Sequence, residues 1–207
     1  MEMIKIFDAQ RNQIGVKNRM EVHEKGYWHE TFHCWFVSNE QDTNYIYFQL
    51  RSNNKKDFPN LLDITAAGHL LADESVDDGI REVQEELGIE LSLSDLIPLG
   101  VVKDCIKTGQ FIDNEHAHVF LYESKYELND FSLQEDEVSG IVRTEFNAFY
   151  ELCNGIRNEI LIEGMKVIEN GQKVILKETV SKQGFVPHPD TYLQEVSELI
   201  HNVLKGI

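Results

Sequence analysis

The segment from Ser75 to Gly88 constrains the fold of this 207-residue chain more than any other. Its apolar residues recur at intervals of four, three and four positions, which places them in one stripe along a helix. They are Val76, Ile80, Val83 and Leu87. Ser75 is a suitable N-cap and Gly88 a suitable C-cap. The pattern therefore predicts a helix over residues 75–87 that packs against a core through this stripe.

The same helix carries a group of acidic side chains. Glu82 precedes Glu85 and Glu86 by three and four residues, so the three carboxylates share one face, opposite much of the apolar stripe. Crowded carboxylates repel one another, and such hard oxygen ligands suit Mg²⁺ or Mn²⁺. A solvated, charged helix face is the alternative interpretation. Arg81 can pair with Glu85 four residues on, or with an acidic residue of the preceding loop.

Short apolar or alternating segments predict strands on both sides of this helix. The predicted strands are 3–7, 31–37, 45–50, 61–66, 99–106, 116–122, 160–168 and 173–180. Turns are predicted at 8–15, 38–44, 58–60 and 170–171, and Pro98 is interpreted as a break. Two further helices are predicted over 146–152 and 192–204, the second with Asp190 as its cap. This mixture of strands and few helices indicates an α/β (α+β) sandwich.

The charge of the chain bears on its partners. It has 36 acidic residues against 19 Lys and Arg, a formal net charge of −17. Such a surface repels polyanions, so nucleic acid is not an expected partner. A phosphorylated small molecule can still bind if a divalent cation lies between it and the protein.

The cysteines and the N-terminal segment predict the compartment. Cys34, Cys105 and Cys153 are widely spaced and odd in number, so a disulfide framework is not expected. The segment MEMIKIFDAQ is too polar for a signal peptide. No apolar run approaches the roughly 18 residues of a transmembrane helix. We therefore expect a cytoplasmic protein that does not bind a membrane.

Residues 68–89, GHLLADESVDDGIREVQEELGI, resemble the signature box of the Nudix hydrolase family. That box is a glycine, five residues, a glutamate, seven residues and then R-E-U-x-E-E-x-G-U, where U is apolar. The second half matches fully from Arg81 to Ile89, and Gly68 and Glu74 match the first half.

The loop before the helix is the one departure from this box. Six residues separate Glu74 from Arg81, where the family has seven. Counting back from Arg81 without a gap would place Asp73 and Ala67 at the glutamate and glycine positions. We take Gly68 and Glu74 as the matching pair, which predicts that Glu74 lies beside Arg81.

The Nudix resemblance implies a fold and a reaction. The fold is an α/β/α sandwich with a mixed sheet, whose core covers roughly residues 20–155 and which a hairpin and helix extend over roughly 156–207. Together they form a single domain over 1–207. The reaction is attack of water on a nucleoside diphosphate linked to another group, or on a related diphosphate.

The same resemblance implies site residues. The cofactor is Mg²⁺, with Mn²⁺ as a substitute, held by Glu82, Glu85, Glu86 and the Gly68 carbonyl. A cation there neutralises the diphosphate, polarises the P–O bond and lowers the pKa of a bound water. The candidate catalytic residues are Arg81 and the general bases Glu85 and Glu137, with Glu115 as a third candidate base.

Three further segments resemble isopentenyl diphosphate isomerase, an enzyme with the Nudix fold. They are EVHEKGYWHETFHCWFV, RSNNKKDFPNLLDITAAGH and DNEHAHVF. In that family histidines and glutamates hold a metal, and the matching positions here are His23, His29, His69, Glu86 and Glu115. The candidate substrate-binding residues are Arg51, Lys55, Lys56, His29 and His69.

Ala67 argues against isomerase activity. A catalytic cysteine of the isomerases lies two residues before the histidine that matches His69, and an alanine cannot transfer the proton that allylic isomerisation requires. The leading hypothesis is therefore a Mg²⁺-dependent diphosphate hydrolase on the isomerase-like branch of Nudix proteins. An isomerase-type enzyme and a catalytically inactive binding module are the alternatives. The C-terminal extension is predicted either to cover the pocket or to form a homodimer interface.

Overall fold

One mixed sheet organises the computed structural model, which describes residues 2–168 and 170–207. The strands of these residues are β1 (Met3–Phe7), β2 (Gln13–Asn18), β3 (Trp28–Glu40), β4 (Thr43–Arg51), β5 (Leu62–Asp63), β6 (Ala66–His69), β7 (Ile97–Thr108), β8 (Phe111–Glu123), β9 (Val138–Glu145), β10 (Glu159–Val167) and β11 (Lys173–Ser181). The α-helices are α1 (Arg19–Lys25), α2 (Arg81–Leu87), α3 (Phe146–Cys153) and α4 (Asp190–Lys205).

The long strand β3 is the centre of the sheet. The main strand order is β11-β10-β9-β4-β3-β1-β2, with β5 beside β4, β6 beside β3, and β8 paired with both β3 and β7. β3 and β8 run parallel from the Trp28–Asn114 pair to the Val37–Glu123 pair. The other ladders between the described strands are antiparallel. The sheet is therefore mixed, as predicted.

Helices cover both faces of this sheet. Trp35 of β3 packs in a buried cluster with residues of α3 and α4, whereas Phe36 packs in a second cluster with residues of α2. Successive residues of a strand point to opposite faces, so the predicted α/β/α sandwich is confirmed. His29 and His33 lie on the same face as Trp35, toward the start of β3. That face is apolar along one half of the strand and polar along the other.

The C-terminal extension is built into the same architecture. β10 pairs with β9, and β11 with β10, so the predicted hairpin lengthens the sheet. Tyr192, Val196 and Ile200 of α4 pack in the buried cluster that contains Trp35 and Phe48. None of the described helices combines the length and the apolar character needed to cross a bilayer.

Most strands are longer than the apolar segments that predicted them, because backbone pairing continues past those segments. β3 and β4 meet at Gln41 and Asp42, which have φ of 49° and 67°, so most of the loop predicted over 38–44 is strand. β7 continues through Pro98, which was expected to break it. Pro98 lies at a register shift in a strand whose described partner is β8, where a missing N–H is tolerated.

Three elements, β2, α1 and β9, were not predicted from the sequence, and one predicted strand is divided. α1 is short and largely polar, with Asn18 as its side-chain cap and Gly26 ending it at φ 66°. β9 (Val138–Glu145) lies in a segment for which no strand was predicted. The strand predicted over 61–66 is replaced by the two short strands β5 and β6.

Candidate active site

The segment before and through α2 begins and ends where the sequence predicts. The Asp78 carboxylate accepts hydrogen bonds from the Ser75 backbone N–H at 2.8 Å and from its hydroxyl at 2.7 Å. Gly88 ends α2 at φ 68° and donates its N–H to the Gln84 carbonyl at 2.9 Å. The continuous α-helix predicted over 75–87 needs one correction. Its first turn, Val76–Ile80, is a 3₁₀ helix, a common form for helix ends.

Burial of the apolar stripe sets the rotation of α2 about its axis. Val83 and Leu87 are fully buried, and Val76 and Ile80 are half-buried against the same cluster. The opposite side of the helix faces a cavity of about 290 Å³. The residues that line it include what we call the glutamate group: Glu82, Glu85, Glu86 and Gly68.

Gly68 and Glu82 meet at one point of this cavity. Gly68 lies in β6, opposite Phe32 of β3. A Cβ atom at Gly68 would lie 2.0 Å from Oε1 of Glu82, so any side chain there would displace the carboxylate. The backbone of β6 and the carboxylate of α2 are therefore adjacent only because residue 68 is a glycine.

Arg81 joins the helix to the loop before it. Its Nε donates to Oε1 of Glu74 at 2.6 Å. Its Nη1 donates to Glu82 at 2.7 Å and to Glu85 at 3.1 Å. The predicted contact of Glu74, rather than Asp73, with Arg81 is confirmed. The missing residue of the box therefore lies between Glu74 and the helix.

Burial makes ionisation of two of these carboxylates costly. It raises the pKa of Glu86 to about 8, and the neighbouring Glu82 adds to the effect although the Ala67 N–H donates to Glu86 at 3.1 Å. Burial also raises the pKa of Glu82 to about 7, against the attraction of Arg81. The Glu85 side chain is 54% exposed. A divalent cation would stabilise such a set of desolvated, adjacent carboxylates.

A second group of ligating side chains lies near the first, and we call it the histidine cluster. It consists of His23 from α1, His29 from β3, His69 from β6 and Asp113 from β8. One ligand atom of each residue lies within 4.8 Å of the others. Oδ1 of Asp113 is 3.2 Å from Nε2 of His23 and of His29, and Nε2 of His69 is 3.2 Å from Nε2 of His23.

The atoms of the histidine cluster face one another without forming a complete hydrogen-bond network. Nε2 of His29 and Oδ1 of Asp113 are buried and have no hydrogen-bond partner among residues 2–168 and 170–207. Nδ1 of His29 lies 3.1 Å from the Tyr27 carbonyl, so a proton there leaves Nε2 as a lone-pair donor. Burial, with His29 adding to it, lowers the pKa of His69 well below its usual range. Imidazole nitrogens and one carboxylate fit a transition-metal cation.

Glu115 is associated with imidazoles rather than with the helix glutamates. Its Oε2 lies 3.2 Å from Nε2 of His33, and its Oε1 lies 3.9 Å from Nε2 of His29. His33, Asp104 and Glu115 form a further buried group of converging ligand atoms. Burial, with Asp113 and Asp104 adding to it, raises the pKa of Glu115 well above its usual range.

The predicted substrate-binding cations lie at different depths. Lys55 forms an ion pair with Glu137, and both side chains line the cavity. Lys56 is exposed and lines an adjoining outer groove. Arg51 also lines the cavity, but its Nη1 donates to Oδ2 of Asp63 at 2.7 Å. Of the three, Lys55 is the side chain best placed to meet a phosphate.

Sequence reasoning missed five polar residues in or around the cavity. They are Asp63, Asp104, Asp113, His188 and Tyr192. Asp113 had a signal, because it lies two residues before Glu115 in a strand and therefore on the same face. Asp63 lies within a segment that resembles the isomerase, which implied no role for it, and Asp104 lies in a segment without a motif. His188 and Tyr192 come from the extension, for which the resemblance implied no site residue.

Comparisons with known proteins define the family. The profile of the NUDIX domain matches residues 28–158. An uncharacterized Nudix hydrolase of Clostridium acetobutylicum is 40% identical over 195 residues, which cover 94% of this chain and 95% of that relative. The chain therefore belongs to the Nudix family. As an enzyme it is classed with the Nudix hydrolases.

Other similarities are more limited. Isopentenyl-diphosphate Delta-isomerase 1 of Photorhabdus laumondii is 28% identical over 94 residues, 44% of this chain and 52% of the relative. A crystal structure from Deinococcus radiodurans superposes with a TM-score of 0.54 at 17% identity, covering 75% of this chain and 88% of the other. A MutT/nudix family protein from Enterococcus faecalis gives 0.52 at 13% identity, covering 85% and 62%. These two structures share the fold.

Proposed function

We propose that this protein hydrolyses a small-molecule diphosphate, a nucleoside diphosphate linked to another group or a related compound, with Mg²⁺ as cofactor. The observation that carries the proposal is the convergence of the glutamate group in one cavity. There the half-buried Glu82 and the buried Glu86 lie with the exposed Glu85 and the backbone of Gly68. Lys55 lines the same cavity and supplies a cation for the substrate.

The glutamate group matches the oxygen donors that Mg²⁺ requires, and Mn²⁺ accepts the same ligands. Glu82, Glu85, Glu86 and the Gly68 carbonyl would hold the cation. When bound, it supplies charge neutralisation for the diphosphate and a water of lowered pKa. Arg81 donates to Glu82 and Glu85, so its role is to hold these two carboxylates rather than to contact the substrate.

Lys55 and Glu137 give the chain a way to respond to substrate. A phosphate oxygen competes with the Glu137 carboxylate for the Lys55 ammonium, because the two residues form an ion pair at the cavity wall. Binding would thus release Glu137. Glu137 and Glu85 are the leading candidates for the group that takes the proton of the attacking water, because Glu115, the third candidate, already pairs with His33. Of E85Q and E137Q, the variant that removes the acidic limb of the pH–kcat profile identifies the base.

The histidine cluster supports a second cation in the same enzyme and a place on the isomerase-like branch of the family. It also favours an isomerase-type reaction as the second candidate function. Ala67 opposes that reaction, because a side chain of one methyl group transfers no proton. We expect no conversion of isopentenyl diphosphate to its allylic isomer, measured by NMR of the incubated compound. Conversion at an appreciable rate would contradict the choice of hydrolase over isomerase.

A substrate screen tests the proposal directly. Purified protein would be incubated with nucleotide and isoprenoid diphosphates in the presence of Mg²⁺, Mn²⁺ or a chelator, and the products separated by chromatography. We expect cleavage of at least one diphosphate that stops with the chelator. Cleavage that persists without a divalent cation, or no cleavage of any compound with either metal, would contradict the proposal.

The charge and the cysteines of the chain bear on its partners and its location. The net charge of −17 supports a small-molecule substrate, without nucleic acid or membrane as a partner. The free cysteines support a cytoplasmic location. The packing of α4 into the cluster around Trp35 supports a single domain over the whole chain. We also propose that the protein forms a homodimer. Analytical ultracentrifugation of the purified protein would test this.

A further inference from the structure

The C-terminal extension contributes a side chain to the cavity from outside the residues that the NUDIX profile matches. The Val186 N–H donates to the Leu62 carbonyl at 2.8 Å, so the extension passes directly beside β5. Two residues later His188 lies between Pro187 and Pro189, whose rings restrict the backbone around it. The imidazole is thereby presented to the sheet from a stiff segment.

His188 connects two buried carboxylates. Its side chain is 8% exposed, with Nδ1 2.5 Å from Oδ2 of Asp104 and Nε2 3.0 Å from Oδ1 of Asp63. The second oxygen of Asp63, Oδ2, accepts a hydrogen bond from Nη1 of Arg51 at 2.7 Å. A continuous chain of contacts therefore leads from the extension through Asp63 to Arg51.

Arg51 uses its other donors to hold the loop over residues 52–60. Its Nε donates to the Phe58 carbonyl at 3.1 Å and its Nη2 to the Asp57 carbonyl at 2.9 Å. Phe58 and Asn60 have φ of 51° and 61°, a left-handed conformation that residues other than glycine adopt at a cost. The backbone of the loop is strained at these two positions, and the Arg51 guanidinium donates a hydrogen bond to the carbonyl of one of them, Phe58.

The same loop carries Lys55, which lines the cavity. We propose that His188 is a positioning residue for diphosphate binding, which acts through Asp63 and Arg51 on the loop that presents Lys55. The inference rests on the proposed function and deepens it, because it makes substrate affinity depend on the extension. Its effect falls on binding, since His188 itself contacts neither the glutamate group nor Lys55 among its hydrogen bonds and ion pairs in the described chain.

Replacement of His188 in the full-length chain tests this. The probe is methylenediphosphonate with Mg²⁺, a diphosphate analogue that cannot be hydrolysed, and its Kd is measured by calorimetry. We expect H188Q to raise the Kd about tenfold, as the loss of a side chain that orients a binding residue without contacting the ligand typically does. The matched control is H201Q, because His201 also belongs to the extension but stacks on Tyr150 at 4.6 Å between ring centres. H201Q should bind like the wild type.

Two further readouts separate positioning from a merely structural role. With a hydrolysable diphosphate, H188Q should raise KM about tenfold and keep kcat within about threefold. Loss of folded protein would instead lower kcat and leave KM unchanged. Because His188 acts through Arg51, the double variant R51K/H188Q should bind the probe no more weakly than R51K alone. Effects that multiply in the double variant would overturn the inference.

The charge left behind by H188Q can prevent folding, because Asp63 and Asp104 are both buried. In that case H188Q/D104N, which neutralises one of the two carboxylates, carries the same test. A folded variant whose Kd stays within about twofold of the wild type overturns the inference. So does a wild type that does not bind the probe. A wild type that binds the probe and cleaves no diphosphate contradicts the proposed function alone.

Discussion

The glutamate group and the histidine cluster are assembled in opposite ways. Three members of the glutamate group come from one helix, and Gly68 comes from the strand that precedes it. The histidine cluster takes one residue from each of four elements, α1, β3, β6 and β8. Local helical spacing therefore positions the first group, whereas only the strand pairing of the complete sheet positions the second.

The two groups also differ in their chemistry. The glutamate group offers carboxylate and carbonyl oxygens, and burial raises the pKa of both Glu82 and Glu86. The histidine cluster offers three imidazoles and one carboxylate as ligands, and burial lowers the pKa of its His69. Oxygen donors favour Mg²⁺ and imidazole donors favour transition metals. The comparison predicts two cation sites of different selectivity in one cavity, of which the glutamate group is the one needed for hydrolysis.

The largest expected effect is on the glutamate group. E86Q keeps the shape of the side chain and removes a negative ligand, so kcat should fall by at least about 100-fold. Glu90, exposed just beyond α2, provides the control variant E90Q, which should retain activity. E86Q should also keep any transition metal bound at the histidine cluster. Near-normal turnover of folded E86Q would mean that the glutamate group is not the site needed for hydrolysis.

A smaller effect is expected at the histidine cluster. H29Q removes an imidazole whose Nε2 is otherwise unpartnered in the described chain, so metal analysis should show one fewer bound Mn²⁺ per chain. Activity should fall about tenfold, the scale of a perturbed neighbouring site. The control is H118Q, since His118 lies on the other face of β8 and pairs with Glu30 at 3.2 Å. Unchanged metal content in H29Q would leave the glutamate group as the single cation site.

The smallest expected effect is on stability, and it depends on pH. The pKa of Glu86 is raised to about 8 and that of Glu82 to about 7. At a pH above the ordinary pKa of glutamate, the folded protein therefore binds more protons than the unfolded chain. Without metal, the contribution of these two carboxyl groups to stability should therefore fall as pH rises from about 5 to about 8. Mg²⁺ binds the ionised carboxylates, so it should raise Tm more at pH 8 than at pH 6, by roughly 5 °C.

Scanning calorimetry of the wild type and E86Q, with and without Mg²⁺, checks this prediction. The variant lacks one of the carboxyl groups whose pKa is raised by burial, so its stability should depend less on pH. A metal-free wild type whose stability depends on pH no more than that of E86Q would mean that Glu86 is not desolvated.

Comparison of the two groups also explains what the sequence could predict. The contact between Glu74 and Arg81 and the burial of Val83 follow from spacing within one short segment. Asp113 was visible only through its alternation with Glu115. His188 lies far along the chain from Asp63, and nothing in the spacing of either residue indicates that they meet.

The predictions of secondary structure that were wrong failed for the same reason, because contacts between distant parts of the chain decide the structure there. α1 has little apolar surface of its own, and Val22 is buried only because β1 and Tyr27 pack against it. Pro98 predicts the end of a strand. In the described chain, however, β7 pairs only with β8, and a strand that forms hydrogen bonds on one side tolerates a residue without an N–H. In each case the surroundings in the folded chain, rather than the local residues, decide the structure.

The pleat of β3 limits how this enzyme can change during evolution. His29 and His33 lie on one face of the sheet because they are four residues apart in a strand, and the residues between them alternate between the two faces. One residue inserted between them would send one histidine to the side of α2. Insertions are therefore expected at the ends of the hairpins, whereas β3 can vary only by substitution. New substrate specificities in relatives of this chain should arise around a β3 of constant length.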